Sequence, residues 1–253
     1  MFTLNHFILL FISAVVIFLY LFLNKKFNLT LKQNITILFI VSVISEIIKI
    51  FSNIVLIETI DQVTNTVIFD ESGYYLDQST LPFHLCAIQL ILFVALQFFV
   101  KNKKTQDHIL CFMFPTMSLG ALIALFIPTE GVSFAVPQVY EYFLHHAFLV
   151  AFGINLIMSK FIKIDFKVIL RNYGYLIGYM VICLWLNSAL SYAHTNYMFL
   201  SRPPMENLPF LNLDSGWVVY FFRIFAVGAI SVFLLQFPFA LKNKKTINQR
   251  ELI

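Results

Sequence analysis

Charge is the scarcest property of this sequence. Asp, Glu, Lys and Arg make up 12% of its 253 residues, while 60% are hydrophobic. Soluble domains carry about 25% charged residues, so a chain this poor in charge is excluded from water and takes lipid as its solvent. Cysteine is scarce too. Cys86, Cys111 and Cys183 fall at unmatched depths once the helices are laid out, which excludes a bridge with its Cα separation of ~5.5 Å. The chain has no Cys-x-x-Cys, no His-x-x-x-His, no Gly-rich phosphate loop and no Gly-x-Ser-x-Gly elbow. Zinc sites, phosphate cradles and serine-hydrolase elbows therefore have no support, and no metal or cofactor is expected.

What the chain does have is apolar sequence in long runs. Seven stretches stand out, at 5–23, 35–57, 81–100, 109–127, 139–159, 173–192 and 216–239. Each is long enough, at 1.5 Å per residue, to cross a hydrocarbon core of ~30 Å. Barrel strands would alternate apolar and polar residues, whereas these runs are apolar all round. Backbone groups in lipid must bond within the chain, so the runs read as helices. The expected fold is all-α: a polytopic bundle of seven transmembrane helices in a single transmembrane domain over 1–253. The first run is followed rather than preceded by Lys25 and Lys26, and no Ala-x-Ala site closes it. It reads as a retained helix, not a secretory signal.

Basic residues are nearly absent from one side. The intervals 24–34, 101–108, 160–172 and 240–253 hold 14 of the 17 Lys and Arg residues. The alternate intervals hold Arg202 alone, and Lys49 and Arg223 fall within helices. The positive-inside rule then places the N-terminus outside and the C-terminus in the cytoplasm. The acids Glu58, Asp61, Asp70, Glu71, Asp77, Glu130, Glu206 and Asp214 fall on the outer side. A multi-pass protein of the cell membrane is expected, with membrane lipids as partners and no nucleic acid.

Polar side chains at membrane depth are costly and face the bundle, where they often mark a site. Glu46 and Lys49, at i, i+3 in the middle of the second stretch, share a face and form either a self-neutralising pair or part of a site. The third stretch opens Ser79-Thr80-Leu81-Pro82-Phe83-His84-Leu85-Cys86. Ser79 or Thr80 is a candidate cap and Pro82 suits a first turn. On such a helix His84 and Cys86 point about 200° apart, and Cys86 shares a face with Gln89 or Leu90. A lone helical cysteine is commonly a small hydrophobe, but a nearby helix N-terminus favours a thiolate. The fifth stretch carries Glu141, His145 and His146 two turns below the outer surface, with Glu141 and His145 spaced to hydrogen-bond. Asn187 and Tyr197 lie near the outer end of the sixth stretch, and Arg223 two turns into the seventh, placed to meet Glu46 or a head group. The plain alternatives are core hydrogen bonds, an aromatic belt and snorkelling. Their common outer depth predicts an outward-facing polar pocket between helices.

Residues 81–86 resemble the Leu-Pro-Leu-His-Leu-Cys signature of the YwaF family of bacterial membrane proteins, with Phe83 replacing Leu. Glu46 in the preceding helix, His146 in the fifth, and Asn196-Tyr197 ahead of Arg202-Pro203-Pro204 also resemble that family, over about 30–240. Where the family often has Asp after the cysteine, this chain has Ala87, so no helper acid is implied there. YwaF proteins are similar to an animal family that includes an ether-phospholipid acyltransferase and, more remotely, to the androgen-induced-gene lipid hydrolases. The resemblance implies Cys86 as acyl-accepting nucleophile and His146 as its base. The substrate-binding candidates are Glu46, His84, Gln89, His145, Asn187, Asn196, Tyr197 and Arg223. Asn187, Tyr197 or His84 is placed as oxyanion donor. A transporter or channel and a non-catalytic lipid-binding sensor are the competing functions; no inverted repeat supports transport.

Overall fold

A computed structural model describes residues 3–61, 66–76, 78–128, 131–204, 208 and 210–250. Asp77, Glu130 and Glu206, expected on the outer side, lie outside the described residues. Among the described residues there are seven α-helices: α1 Leu4–Phe27, α2 Leu31–Ser52, α3 Ile88–Val94, α4 Lys103–Phe126, α5 Pro137–Met158, α6 Phe166–Ala189 and α7 Trp217–Arg250. Six of them are long and apolar enough to cross a membrane. Their starts carry local signals. Thr30 and Gln33 form a capping box on α2, Asn102 caps α4, Asp165 caps α6 through the Val168 N–H, and Pro137 opens α5. Each supplies an acceptor for a first-turn N–H, or removes a donor that has no partner there.

The bundle turns much of its apolar surface outward. Phe11 is 70% exposed, Leu170 74% and Phe222 63%. Large aliphatic and aromatic side chains fully open to water would be unstable, but against acyl chains they cost nothing. The inward side is held by a cluster from α1, α2, α4 and α5, centred on residues such as Leu38, Met117, Phe143 and Phe152. A second cluster joins α6 and α7 around Met180, Cys183 and Tyr197.

Two elements depart from the sequence reading. The outer interval after α2 is not a plain loop. Its backbone forms an antiparallel hairpin of β1 Ile54–Asp61 and β2 Thr66–Leu76, with a register irregularity at Leu56/Ile57. This hairpin is an addition to the helical bundle, which otherwise has the expected architecture.

The third crossing is the larger correction. A helix over 81–100 is expected, but regular helix begins only at Ile88 and passes at Ala95 into a π-turn ending at Phe99. The helical part, Ile88–Phe99, spans roughly 18 Å at 1.5 Å per residue, well short of a bilayer core. Pro82 is the local cause: it has no N–H to donate, and its ring opposes helix at the residue before it. The Phe83 N–H instead closes a tight turn onto the Leu81 carbonyl at 2.7 Å, and the first helical bond runs from the Ile88 N–H to His84 O at 2.9 Å. His84 and Cys86 therefore stand ahead of the helix, and the 200° separation of helical positions does not apply to them.

Candidate functional site

Irregular backbone at membrane depth is tolerated only where protein groups take up its unpaired N–H and C=O groups. Residues 81–87 meet that condition. The Phe83 carbonyl accepts the Tyr179 hydroxyl at 2.7 Å and the Cys183 thiol at 3.6 Å, both from α6. The Gln78 carbonyl accepts the Tyr197 hydroxyl, and the Gln78 side chain accepts that of Tyr192 at 2.8 Å. Tyr197 is fully buried and stacks edge-on against Phe83 and His84, with ring centroids 5.3 and 5.6 Å apart; Phe199 covers His84 from a second side at 5.3 Å. The segment is a walled feature of the bundle.

Cys86 faces inward. A Cβ on Gly120 of α4 would lie 3.2 Å from its Sγ, so the missing side chain at Gly120 is what admits the thiol. Gly120 is six residues from the outer end of α4, which puts Cys86 roughly 9 Å below that end. Among the described residues Cys86 makes no hydrogen bond, and all three cysteines are free.

His146 lies on the face of α5 that packs on α4. It lies one turn below Tyr142, whose hydroxyl donates to Ala124 O at 3.2 Å, and seven residues above Gly153, whose Cα faces Ser118. His146 is buried, and its Nδ1 bonds to the Tyr142 carbonyl at 2.6 Å. A carbonyl only accepts, so Nδ1 carries the proton and Nε2 of the neutral ring keeps its lone pair. That is the tautomer a general base needs.

His145 turns to α2, where its Nε2 lies 3.3 Å from Ser42 Oγ, while Ser45 donates to Glu141. The serines of α2 thus engage the two groups that the sequence spacing pairs with each other. Glu46 and Lys49 form an ion pair at 2.7 Å. Because α2 ends at Ser52, the pair lies near its outer end and not at mid-helix.

Gln89 is fully buried. Its amide nitrogen donates to Leu85 O at 2.8 Å and to Thr116 Oγ1 at 3.2 Å, while its Oε1 has no partner among the described residues. Ser118 Oγ is buried and unpartnered in the same way. Buried acceptors without donors are uncommon, and both lie along α4 within four residues of Gly120, Gln89 through its bond to Thr116. Ser118 escaped sequence reading because one serine in an apolar helix carries no signal of its own.

Other candidates are committed to architecture. The Asn187 amide clamps the Tyr197 backbone, accepting its N–H at 2.8 Å and donating to its carbonyl at 3.1 Å. Asn196 closes a turn by accepting the N–H groups of Ser201 and Arg202 and donating to Arg202 O at 2.9 Å. Arg223 does not meet Glu46. It reaches the outer loop, to Asn212 Oδ1 at 3.2 Å and Ser215 Oγ at 3.3 Å. Among the described residues, no three His, Cys, Asp or Glu side chains gather as metal ligands would.

The structure thus brings Cys86, His84, Gln89, His145, His146 and the Glu46–Lys49 pair into the outer part of the bundle, and leaves Asn196 and Arg223 in loop contacts. No curated protein and no solved structure matches the chain. The family model of the TMEM164 family matches residues 1–236, a span that takes in α1 to α6, the walled 81–87 segment and most of α7. The chain is a multi-pass membrane protein belonging to the TMEM164 family.

Proposed function

We propose that this protein is a lipid acyltransferase or lipid-ester hydrolase of the cell membrane, with Cys86 as acyl acceptor and His146 as its base. The observation that carries the reading is the contact of His146 Nδ1 with the Tyr142 carbonyl, which fixes the tautomer. With Nδ1–H held by the Tyr142 carbonyl, Nε2 is the only ring atom left to take a proton, and His146 shares its helix face with Tyr142 and Gly153, both of which meet α4, the helix against which Cys86 packs. A thiol and an imidazole that do not yet hydrogen-bond are compatible with this role, because such contacts tighten when substrate arrives.

In the proposed reaction Nε2 takes the Cys86 proton while sulfur attacks an acyl ester carbonyl. Collapse of the tetrahedral intermediate breaks the ester C–O bond. The imidazolium then returns the proton to the leaving lysolipid oxygen, and an acyl thioester remains on Cys86. A lysophospholipid hydroxyl completes transfer; water completes hydrolysis. Gln89 uses its amide nitrogen on Leu85 and Thr116, so it offers substrate an acceptor through Oε1, not an oxyanion donor. The resemblance of residues 81–86 to the YwaF signature, and of that family to an ether-phospholipid acyltransferase, supports the same chemistry.

Full-length protein in nanodiscs, given a phospholipid with a clickable acyl chain, tests this directly. A hydroxylamine-sensitive acyl label is expected on the wild type. It should be absent from Cys86→Ala, retained in Cys111→Ala and Cys183→Ala, and formed about a hundredfold more slowly or worse in His146→Ala. Equal labelling of Cys86→Ala and wild type would remove the catalytic reading.

A further inference from the structure

On the opposite, cytoplasmic side lies a cleft of about 700 Å³. Its walls come from three separate places: the start of α4, the 160–163 connection after α5, and the second turn of α6. Lys103, Lys104, Lys160, Lys163 and Arg171 line it, against the single carboxylate of Asp107. Asp107 is already engaged by Lys103 at 2.8 Å. Among the described residues, no carboxylate lies within ion-pair distance of Lys104, Lys160, Lys163 or Arg171. The Arg171 Nε is itself buried and without a hydrogen-bond partner. A buried guanidinium N–H left unpaired is costly, and a cluster of uncompensated cations repels itself.

The wall carrying two of these lysines is built, not draped. Ile162 and Ile164 are buried, while Lys160 and Lys163 are exposed. Asn243 of α7 donates to the Ile164 carbonyl at 2.6 Å, Cys111 of α4 approaches the Lys163 carbonyl at 3.8 Å, and Asp165 caps α6 at once after it. The positive-inside rule asks only that lysines lie on this side. It does not ask that they converge on one concavity or that an arginine nitrogen be buried unpaired.

We propose that this cleft binds a phosphate-bearing anion, supplied either by the head group of an anionic phospholipid in the inner leaflet or by a soluble phosphate. The volume exceeds what a phosphate alone fills and suits a head group or small ester. The Arg171 guanidinium supplies directional donors and the lysines supply charge. This site is independent of the Cys86 chemistry at the other face.

The test uses full-length protein in neutral detergent, its thermal midpoint read against three additives at constant ionic strength: dioctanoyl phosphatidylglycerol, inorganic phosphate and dioctanoylglycerol. A saturable rise is expected with phosphatidylglycerol and none with dioctanoylglycerol, which has the same tails and no phosphate. A saturable rise with inorganic phosphate as well assigns the site to phosphate itself; its absence assigns it to the lipid head group. Lys160→Gln/Lys163→Gln, at two exposed positions that folding tolerates, should weaken the apparent affinity by roughly tenfold or more. Arg171→Gln should do the same, and Lys25→Gln/Lys26→Gln, on the same face outside the cleft, should leave it unchanged. No saturable rise with either phosphate compound, an equal rise with dioctanoylglycerol, or equal weakening in the Lys25/Lys26 variant would overturn the proposal.

Discussion

Gly153 and Gly120 show how single residues set the α4–α5–segment 81–87 junction. A Cβ on Gly153 would land on the Ser118 hydroxyl, and only 3.1 Å from the Ser118 Cβ. Glycine is required there by proximity of two helices, not by backbone conformation, as is common where membrane helices pack closely. Gly153→Ala is expected to destabilise the protein by about 1–3 kcal/mol, the range for overpacking a filled core, read as a lower thermal midpoint in detergent. Combining it with Ser118→Gly should recover part of the loss, because the two positions share one contact. A purely additive pair of losses would show that the helices do not meet there. Gly120→Ala is milder: its Cβ would meet Cys86 Sγ at 3.2 Å, so the fold should survive while the thiol shifts.

Among whole elements, α4 contains a proline that a second helix compensates. Pro115 has no N–H for the Cys111 carbonyl four residues back. That carbonyl instead accepts the Asn172 amide of α6 at 2.8 Å, and the same amide donates to Gln236 of α7 at 2.7 Å. Asn172→Leu should therefore cost about 1–3 kcal/mol, the penalty for a buried acceptor left bare. In a Pro115→Ala background, where a backbone N–H at that position is restored to the carbonyl, the same change should cost measurably less. Thermal unfolding of the four forms measures the coupling, and no difference between backgrounds would break the argument.

The same element scale decides what could be read in advance. Six long helices were legible because twenty apolar residues in lipid have essentially one backbone solution. The third crossing was not. Pro82 is compatible with a helix start, so it did not announce the irregular path of residues 81–87; that path is held by Tyr179 and Cys183 on the Phe83 carbonyl and by Tyr197 on the Gln78 carbonyl, about a hundred residues away in sequence. The outer depth of Cys86, His145 and His146 followed from helix direction alone. The roles of Asn187 and Asn196 did not, because an asparagine offers the same donors and acceptors to a substrate and to a backbone. On the inner side, Asn155 joins Asn24 and Asn34 across three helices at 3.2 and 3.3 Å. Nothing in the sequence links those three residues, since only the folded bundle makes them neighbours.

For the molecule as a whole, the short third helix raises a question of connectivity on which the charge distribution bears. If 78–99 entered from outside and returned there, Lys101, Lys103 and Lys104 would face outward. Every later helix would then reverse, placing Lys160, Lys163, Lys167 and Arg171 outside as well. The positive-inside bias would be lost across half the chain. A crossing made of an irregular outer half and a helical inner half keeps all of these cations on the cytoplasmic side, and it is the arrangement in which the walled 81–87 segment sits within the bilayer. Single cysteines introduced into a form lacking Cys86, Cys111 and Cys183 test it with a membrane-impermeant maleimide on intact cells. Ser133→Cys and Ser215→Cys should label from outside, whereas Lys103→Cys and Lys160→Cys should label only after the membrane is opened. Outside labelling at Lys103→Cys would mean that 78–99 does not cross. The reversal would then move the cationic cleft to the outer face, and the Cys86 segment would enter and leave from the same leaflet.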